Sequence, residues 1–120
     1  MGKILIVDDS TTDIQYIKSV LADTGHQLVT ASDGEEAEKL ISNEPFDLII
    51  LDVIMPKKSG YQICRDLKKN DKYKDIPIIM MSSKNQQSDI AWGQKQGANE
   101  YLTKPCEPLE LLLAVKKYIK

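Results

Sequence analysis

Short aliphatic runs alternate with amphipathic stretches along the whole chain. Lys3-Ile4-Leu5-Ile6-Val7, Leu48-Ile49-Ile50-Leu51 and Ile76-Pro77-Ile78-Ile79-Met80-Met81 are too short for buried helices and too continuously apolar for strands with one wet face. They read as strands covered on both sides, with proline tolerable at a strand start. Gln27–Ala31 and Tyr101–Thr103 supply two weaker runs. Between the runs, apolar residues recur at helical spacing: Ile14, Ile17, Val20 and Leu21, then Ala37, Leu40 and Ile41, then Ile63, Cys64 and Leu67. Gln86 to Gln96 is a polar helix containing Ala91 and Trp92, and Leu109 to Ile119 carries a broad apolar stripe.

The punctuation agrees with this division. Ser10, Thr11 and Thr12 offer N-caps and Gly25 a stop; Ser32-Asp33-Gly34 is a turn or cap. Asn43-Glu44-Pro45 ends the second helix, Met55 to Gly60 is a loop, and Lys68 to Asp75 is a polar connection. Gly97-Ala98 closes the fourth helix, and Pro108 stands where the fifth can begin. Five strands alternating with five helices, on short connections, predict a parallel sheet with helices on both faces. The expected fold is a single doubly wound α/β domain over 1–120, with no repeat, linker or output domain before the chain reaches Lys120.

Composition narrows the function classes. At 120 residues the chain can bury a core of its own, and 42% hydrophobic with 28% charged residues is ordinary for a globular protein. A net charge of −2 and a pI near 5.4 argue against general binding to nucleic acid or anionic membranes. No apolar run approaches the roughly 18 residues of a spanning helix, and no signal-peptide pattern opens the chain. Met1-Gly2 leads straight into a strand, which discounts a myristoylation start. Cys64 and Cys106 lack metal-ligand spacing and are expected to be free thiols of a cytoplasmic protein.

The strand ends carry the chemistry. One ends in Asp8-Asp9, another in Asp52, a third in Ser82 and a fourth in Lys104. In a parallel sheet these groups share the carboxyl edge, where open α/β folds place their ligands. Carboxylates about 5 Å apart repel by roughly 3 kcal/mol at an effective dielectric near 20. A divalent cation removes that cost, and oxygen-only ligands favour a hard ion such as magnesium. Lys104 then suits phosphoryl oxygens as a fixed positive charge, with the Ser82 hydroxyl as donor. Asp52 stands alone on what should be the central strand and is the candidate nucleophile for an acyl phosphate. Singly, each group has an ordinary meaning as a cap or turn; jointly they point to phosphoryl chemistry.

With these residues in place, the whole chain resembles the receiver domain of two-component response regulators, of the stand-alone, chemotaxis-type kind. The resemblance rests on Ile6-Val7-Asp8-Asp9, Asp52 to Pro56, Ser82-Ser83, Gly97-Ala98 and Tyr101-Leu102-Thr103-Lys104-Pro105. It implies a flavodoxin-like sheet of order 2-1-3-4-5 and phosphorylation of Asp52 by a histidine kinase or phosphotransfer protein. It also implies magnesium held by Asp9, Asp52 and the backbone carbonyl of Ile54, with Asp8 acting through water. Ser82 and Tyr101 would be the switch pair, and the Lys104-Pro105 bond would be cis. Trp92 to Ala98 is similar to regulators of pilus-driven (twitching) motility. Three positions depart from the family: Cys106 replaces a common phenylalanine, apolar Ile54 follows Asp52 by two residues, and Ser59 stands where many relatives carry an acid.

The resulting expectation is a monomeric signalling module that receives a phosphoryl group and changes its affinity for a downstream protein. Tyr101 would fill the space opened when Ser82 swings toward the phosphoryl, shifting a pre-existing equilibrium. Its alternative role is a plain edge-strand aromatic. Trp92, Tyr101, Leu111 and Tyr118 are candidates for the partner-facing surface, or for packing within the domain. Two other functions use the same residues. One is a magnesium-dependent phosphohydrolase with an aspartate nucleophile, and the other is a binding domain with a vestigial site.

Overall fold

The computed structural model describes residues 2–119. The expected start at Met1 and the run of the last helix into Lys120 lie outside the described residues. The elements are β1 (Lys3–Val7), α1 (Thr11–Leu21), β2 (Gln27–Ala31), α2 (Gly34–Asn43), β3 (Leu48–Leu51), α3 (Gly60–Lys68), β4 (Ile78–Ser82), α4 (Gln87–Lys95), β5 (Glu100–Thr103) and α5 (Pro108–Tyr118). All strands pair in parallel, in the order β2-β1-β3-β4-β5. Sheet order and doubly wound architecture both match the sequence reading.

Strand alternation divides the core into two layers. Leu48 and Ile50 face the side covered by α1 and α5, packing with Ile4, Ile6, Ile17, Leu21 and Leu111. Ile49 and Leu51 face the opposite side, with Leu5, Ala37, Ile63, Leu67 and Met80. All four residues of β3 are buried, so the strand has no wet face; burial continues through Asp52 and Val53, and the chain first reaches solvent at Ile54. Each such aliphatic side chain contributes on the order of 1.5–3 kcal/mol through burial. This packing fixes where the strand ends lie.

Several element boundaries differ from the sequence reading, and the largest differences have a cause in the backbone. The first helix ends at Leu21 and tightens into a 3-10 turn, Ala22–Thr24, before Gly25 closes it at φ 82°. Gly25 is the stop that the sequence predicts, but the tightened turn leaves no hydrophobic periodicity of its own. The fourth strand begins at Ile78 rather than Ile76, because the Ile76 amide bonds back to the Tyr73 carbonyl and Pro77 has no amide to pair. That strand also extends to include Ser82, which pairs in register with Thr103.

One expected surface residue is internal. Leu111 is fully buried among the α1-side residues and cannot meet a partner. Helical spacing places Leu111, Ala114 and Val115 inward, and leaves Leu109 and Leu113 as the exposed leucines of the same helix. A stripe of consecutive leucines is too broad to reveal which of its members face water.

Candidate functional site

The carboxyl edge gathers the residues that the sequence singled out. Asp8 leaves β1 as the first residue after Val7, and its amide is held by the Ala31 carbonyl at 3.1 Å. Its side chain is almost wholly buried; Oδ1 accepts from the Ser10 amide at 2.9 Å. Ser10 caps α1, accepting from the Asp13 amide at 3.2 Å, so the helix start and the acid position one another. Asp9 is exposed at the same edge. Asp52 follows β3, and its amide donates to the Val7 carbonyl at 2.9 Å. Its Oδ1 accepts from the Val53 amide at 2.7 Å, leaving Oδ2 toward Lys104.

Oxygens of Asp8, Asp9 and Asp52 all lie within 4.8 Å of one another. Three carboxylates at that spacing, two of them buried, repel strongly unless a cation intervenes. An all-oxygen set of this kind suits magnesium, a hard ion that keeps several of its own waters. Burial pushes the Asp8 carboxyl above its ordinary value, outweighing the bonds from Lys104 and Ser10, and the Asp52 charge pushes it the same way. The site therefore has a standing electrostatic demand for positive charge.

Lys104 meets part of that demand. The cis Lys104–Pro105 bond, which the family resemblance implies, follows β5 directly. The Lys104 Nζ lies 2.8 Å from Asp8 Oδ2, 2.8 Å from Asp13 Oδ2 and 3.4 Å from Asp52 Oδ2. Burial alone would lower its pKa, but the bonds to Asp13 and Asp8 and the charge of Asp52 drive it well above the usual lysine range. The ammonium gains from three carboxylates at once, whereas each carboxylate shares it with the others. The lysine therefore rises despite its burial, whereas for Asp8 burial outweighs the single ammonium it shares.

Asp13 is the member that sequence reasoning missed. In the first turn of α1 it reads as a favourable charge at a helix N-terminus. Only the folded geometry shows that its carboxylate returns to the sheet edge and competes for Lys104.

The proposed switch residues lie on neighbouring strands, Ser82 in register with Thr103 and Tyr101 with Met80. Ser82 is fully buried, and its hydroxyl oxygen accepts from the Lys84 amide at 3.2 Å. Tyr101 is half-buried against the core, and its hydroxyl donates to the Lys84 carbonyl at 2.7 Å. Burial raises the phenol well above its ordinary value, so it remains a donor. Both residues thus attach to the same short loop after β4.

The remaining candidates lie away from this edge. Trp92 is half-exposed on α4, while the Tyr118 hydroxyl lies 3.0 Å from the Asn99 carbonyl, before β5. The three departures find ordinary places. Cys106 is buried on the α5 side, its carbonyl accepting from the Tyr16 hydroxyl. Ser59 caps α3 by accepting from the Gln62 amide at 3.3 Å. Ile54 is half-exposed beside Asp52.

A parallel 2-1-3-4-5 sheet with an acid pair, a lone acid, a hydroxyl and a lysine on one edge defines a class of phosphoryl-handling domain. The chain belongs to the response regulator receiver domain family, whose model matches residues 4–116. It is 38% identical over 115 residues to Protein PilH of Pseudomonas aeruginosa, covering 96% of this chain and 95% of that protein. It is also 38% identical to the alkaline phosphatase synthesis transcriptional regulatory protein PhoP of Bacillus subtilis, but spans only 48% of that longer protein. Among solved structures, the chemotaxis response regulator CheY4 of Vibrio cholerae matches at 34% identity with a TM-score of 0.91, over 99% of each chain.

Proposed function

We propose that this receiver domain takes a phosphoryl group onto Asp52 from a phosphohistidine of a histidine kinase or phosphotransfer protein. The observation that carries the reading is the convergence of Asp8, Asp9, Asp52 and Lys104 on one sheet edge, with Lys104 Nζ within 3.4 Å of three carboxylates. An Asp52 oxygen attacks phosphorus, the P–N bond breaks, and the electron pair leaves with the histidine nitrogen. Magnesium bound by Asp9, Asp52 and the Ile54 carbonyl, with Asp8 through water, would neutralise the phosphoryl oxygens during transfer.

The chain's own residues do the rest. Lys104 exchanges a carboxylate partner for a phosphoryl oxygen, and the Ser82 hydroxyl turns from the loop to donate to another. The loop after β4 then moves, Tyr101 loses its Lys84 acceptor, and the ring turns inward. The β4–α4 loop and the α4–β5–α5 face change together, so a downstream protein distinguishes the two states. Leu109 and Leu113, rather than Leu111, are the large apolar residues that α5 exposes.

The domain accordingly acts on no external substrate; its chemistry is transfer to, and hydrolysis from, its own aspartate. Family membership supports this reading over the phosphohydrolase that the same acidic edge would suit. The likeness to PilH and the Trp92–Ala98 stretch together favour pilus-driven motility or chemotaxis as the setting. We further read the module as a cytoplasmic, monomeric single domain; no helix among the described residues is long and apolar enough to cross a membrane. Magnesium followed by beryllofluoride, an aspartyl-phosphate mimic, should shift the Tyr101 and Ser82 resonances. The reading fails if Asp52→Asn responds like the unaltered protein.

A further inference from the structure

The chain's single arginine and single tryptophan line the same groove, on the side of the molecule between α3 and α4. This cleft of about 470 Å³ is walled by Arg65, Lys68 and Lys69 from the end of α3 and by Trp92 and Lys95 from α4. Basic residues in the last turn of a helix have an ordinary purpose, since they complement the negative end of its dipole. That accounts for Arg65, Lys68 and Lys95 individually. It does not account for a half-exposed indole lining the same groove.

The ion pairing is also uneven. Lys3, Lys58, Lys104 and Lys117 each hold a carboxylate. Arg65, Lys69 and Lys95 are exposed, and among the described residues none has a salt-bridge partner. Lys68 is different: its ammonium is tied inward to the Ile76 carbonyl at 2.9 Å and to Asn99 Oδ1 at 3.1 Å. Its stem forms the floor beside Gly97, where a Cβ would meet Lys68 Cγ at 2.6 Å. A chain of net charge −2 therefore places three cations without a salt-bridge partner along the groove that Trp92 lines.

The groove is also built firmly. The Tyr61 hydroxyl donates to the Asp89 carbonyl at 3.0 Å, and the Cys64 thiol lies 3.5 Å from the Gln96 carbonyl, joining α3 to both ends of α4. Gly93 seats α4 on the sheet, since a Cβ there would meet Met80 Sδ and Tyr101 Cδ2 at 2.9 Å each. A preformed site loses less entropy on binding than one that must be ordered.

We infer that this α3–α4 groove docks an acidic segment of a partner protein, with an apolar side chain on the Trp92 indole and carboxylates on Arg65, Lys69 and Lys95. Tryptophan and arginine are the residue types that most often anchor protein interfaces. Three cations are too few for a nucleic-acid track, which typically needs about 6–10 phosphate contacts. They match a short run of glutamate or aspartate. The site shares no residue with the phosphorylated edge, and because α4 also borders the face that changes on phosphorylation, the test is made on the unphosphorylated chain.

The test uses the full chain and a peptide of glutamates flanking one leucine, read by Trp92 fluorescence, which reports on this groove alone. Saturable binding should weaken about tenfold as salt rises from about 0.1 M to about 1 M, because screening shortens from about 10 Å to about 3 Å. Combined Arg65→Glu, Lys69→Glu and Lys95→Glu should weaken it about a hundredfold, while Lys18→Glu, on α1, leaves it unchanged. Circular dichroism confirms that the variants fold, and Asp52→Asn should bind as the parent does. The inference is overturned if no saturable change occurs, if Lys18→Glu weakens binding as much as the groove variant, or if a single-stranded oligonucleotide binds at least as tightly as the peptide.

Discussion

Asp13→Asn separates the role of Asp13 in stability from its effect on Lys104. The substitution removes one of two carboxylates lying 2.8 Å from the Lys104 ammonium and leaves the other in place. Two unit charges at about 4 Å attract by about 4 kcal/mol at an effective dielectric near 20. The Asp13 side chain is 39% exposed, however, so water screens most of that attraction. The net loss of stability is about 1 kcal/mol, which lowers the Tm by about 4 °C in a domain of this size. The same contact restrains Lys104 from swinging to a phosphoryl oxygen on Asp52. Removing a restraint of about 1 kcal/mol speeds phosphorylation about fivefold, since about 1.4 kcal/mol corresponds to tenfold. Thermal melts and the rate of phosphorylation by acetyl phosphate with magnesium read the two effects separately. A lower Tm with an unchanged or slower rate would refute the reasoning, because Asp13 would then support the lysine rather than compete for it.

Local geometry sets the outcome of further perturbations. In Gly60→Ala the new Cβ would lie 2.0 Å from the Asp52 carbonyl oxygen, so α3 or the site loop must shift; a stability loss of about 3 kcal/mol or more and weaker magnesium binding should follow in melts and titration calorimetry. Burial pushes the Cys64 thiol up to about 11, and burial with the neighbouring Glu110 carboxylate pushes Cys106 up to about 12. Folding therefore favours the protonated thiols, and that stabilisation is complete below the ordinary value near 9 and is lost as pH rises through 11 to 12. Denaturation midpoints should fall across that window, and iodoacetamide at pH near 8 should label both thiols only after unfolding. Ile54→Asn should shorten the lifetime of phosphorylated Asp52, since it replaces a half-exposed apolar side chain with one that can hold water, while stability changes by less than about 0.5 kcal/mol. An unchanged lifetime would show that Ile54 has no part in hydrolysis.

The sheet was legible in the sequence because β1, β3 and β4 are buried on both faces, and a continuous aliphatic run of four or five residues suits little besides a strand covered on both sides. Asp8, Asp52 and Ser82 were legible for the same reason, since each is the first polar group after such a run, whereas Lys104 follows the weaker β5. What escaped was information that depends on direction. Asp13 belongs by sequence to a helix start, and only the angle of α1 against the sheet turns its carboxylate onto Lys104. Leu111 and Leu113 are equivalent in hydropathy, and the seating of α5 on α1 and the sheet decides which is covered. The α3–α4 groove draws Arg65 and Trp92 together from positions 27 apart, and no local pattern announces that meeting.

The central claim is that Asp52 receives the phosphoryl group. Intact-mass spectrometry after incubation with magnesium and a phosphorylated histidine kinase tests it directly, with fragmentation to locate the added group. The expected result is one phosphoryl per chain, on Asp52, that fails to form without magnesium and is absent in Asp52→Asn. Equal phosphorylation of Asp52→Asn, or a phosphoryl located on any other residue of the unaltered chain, would contradict it.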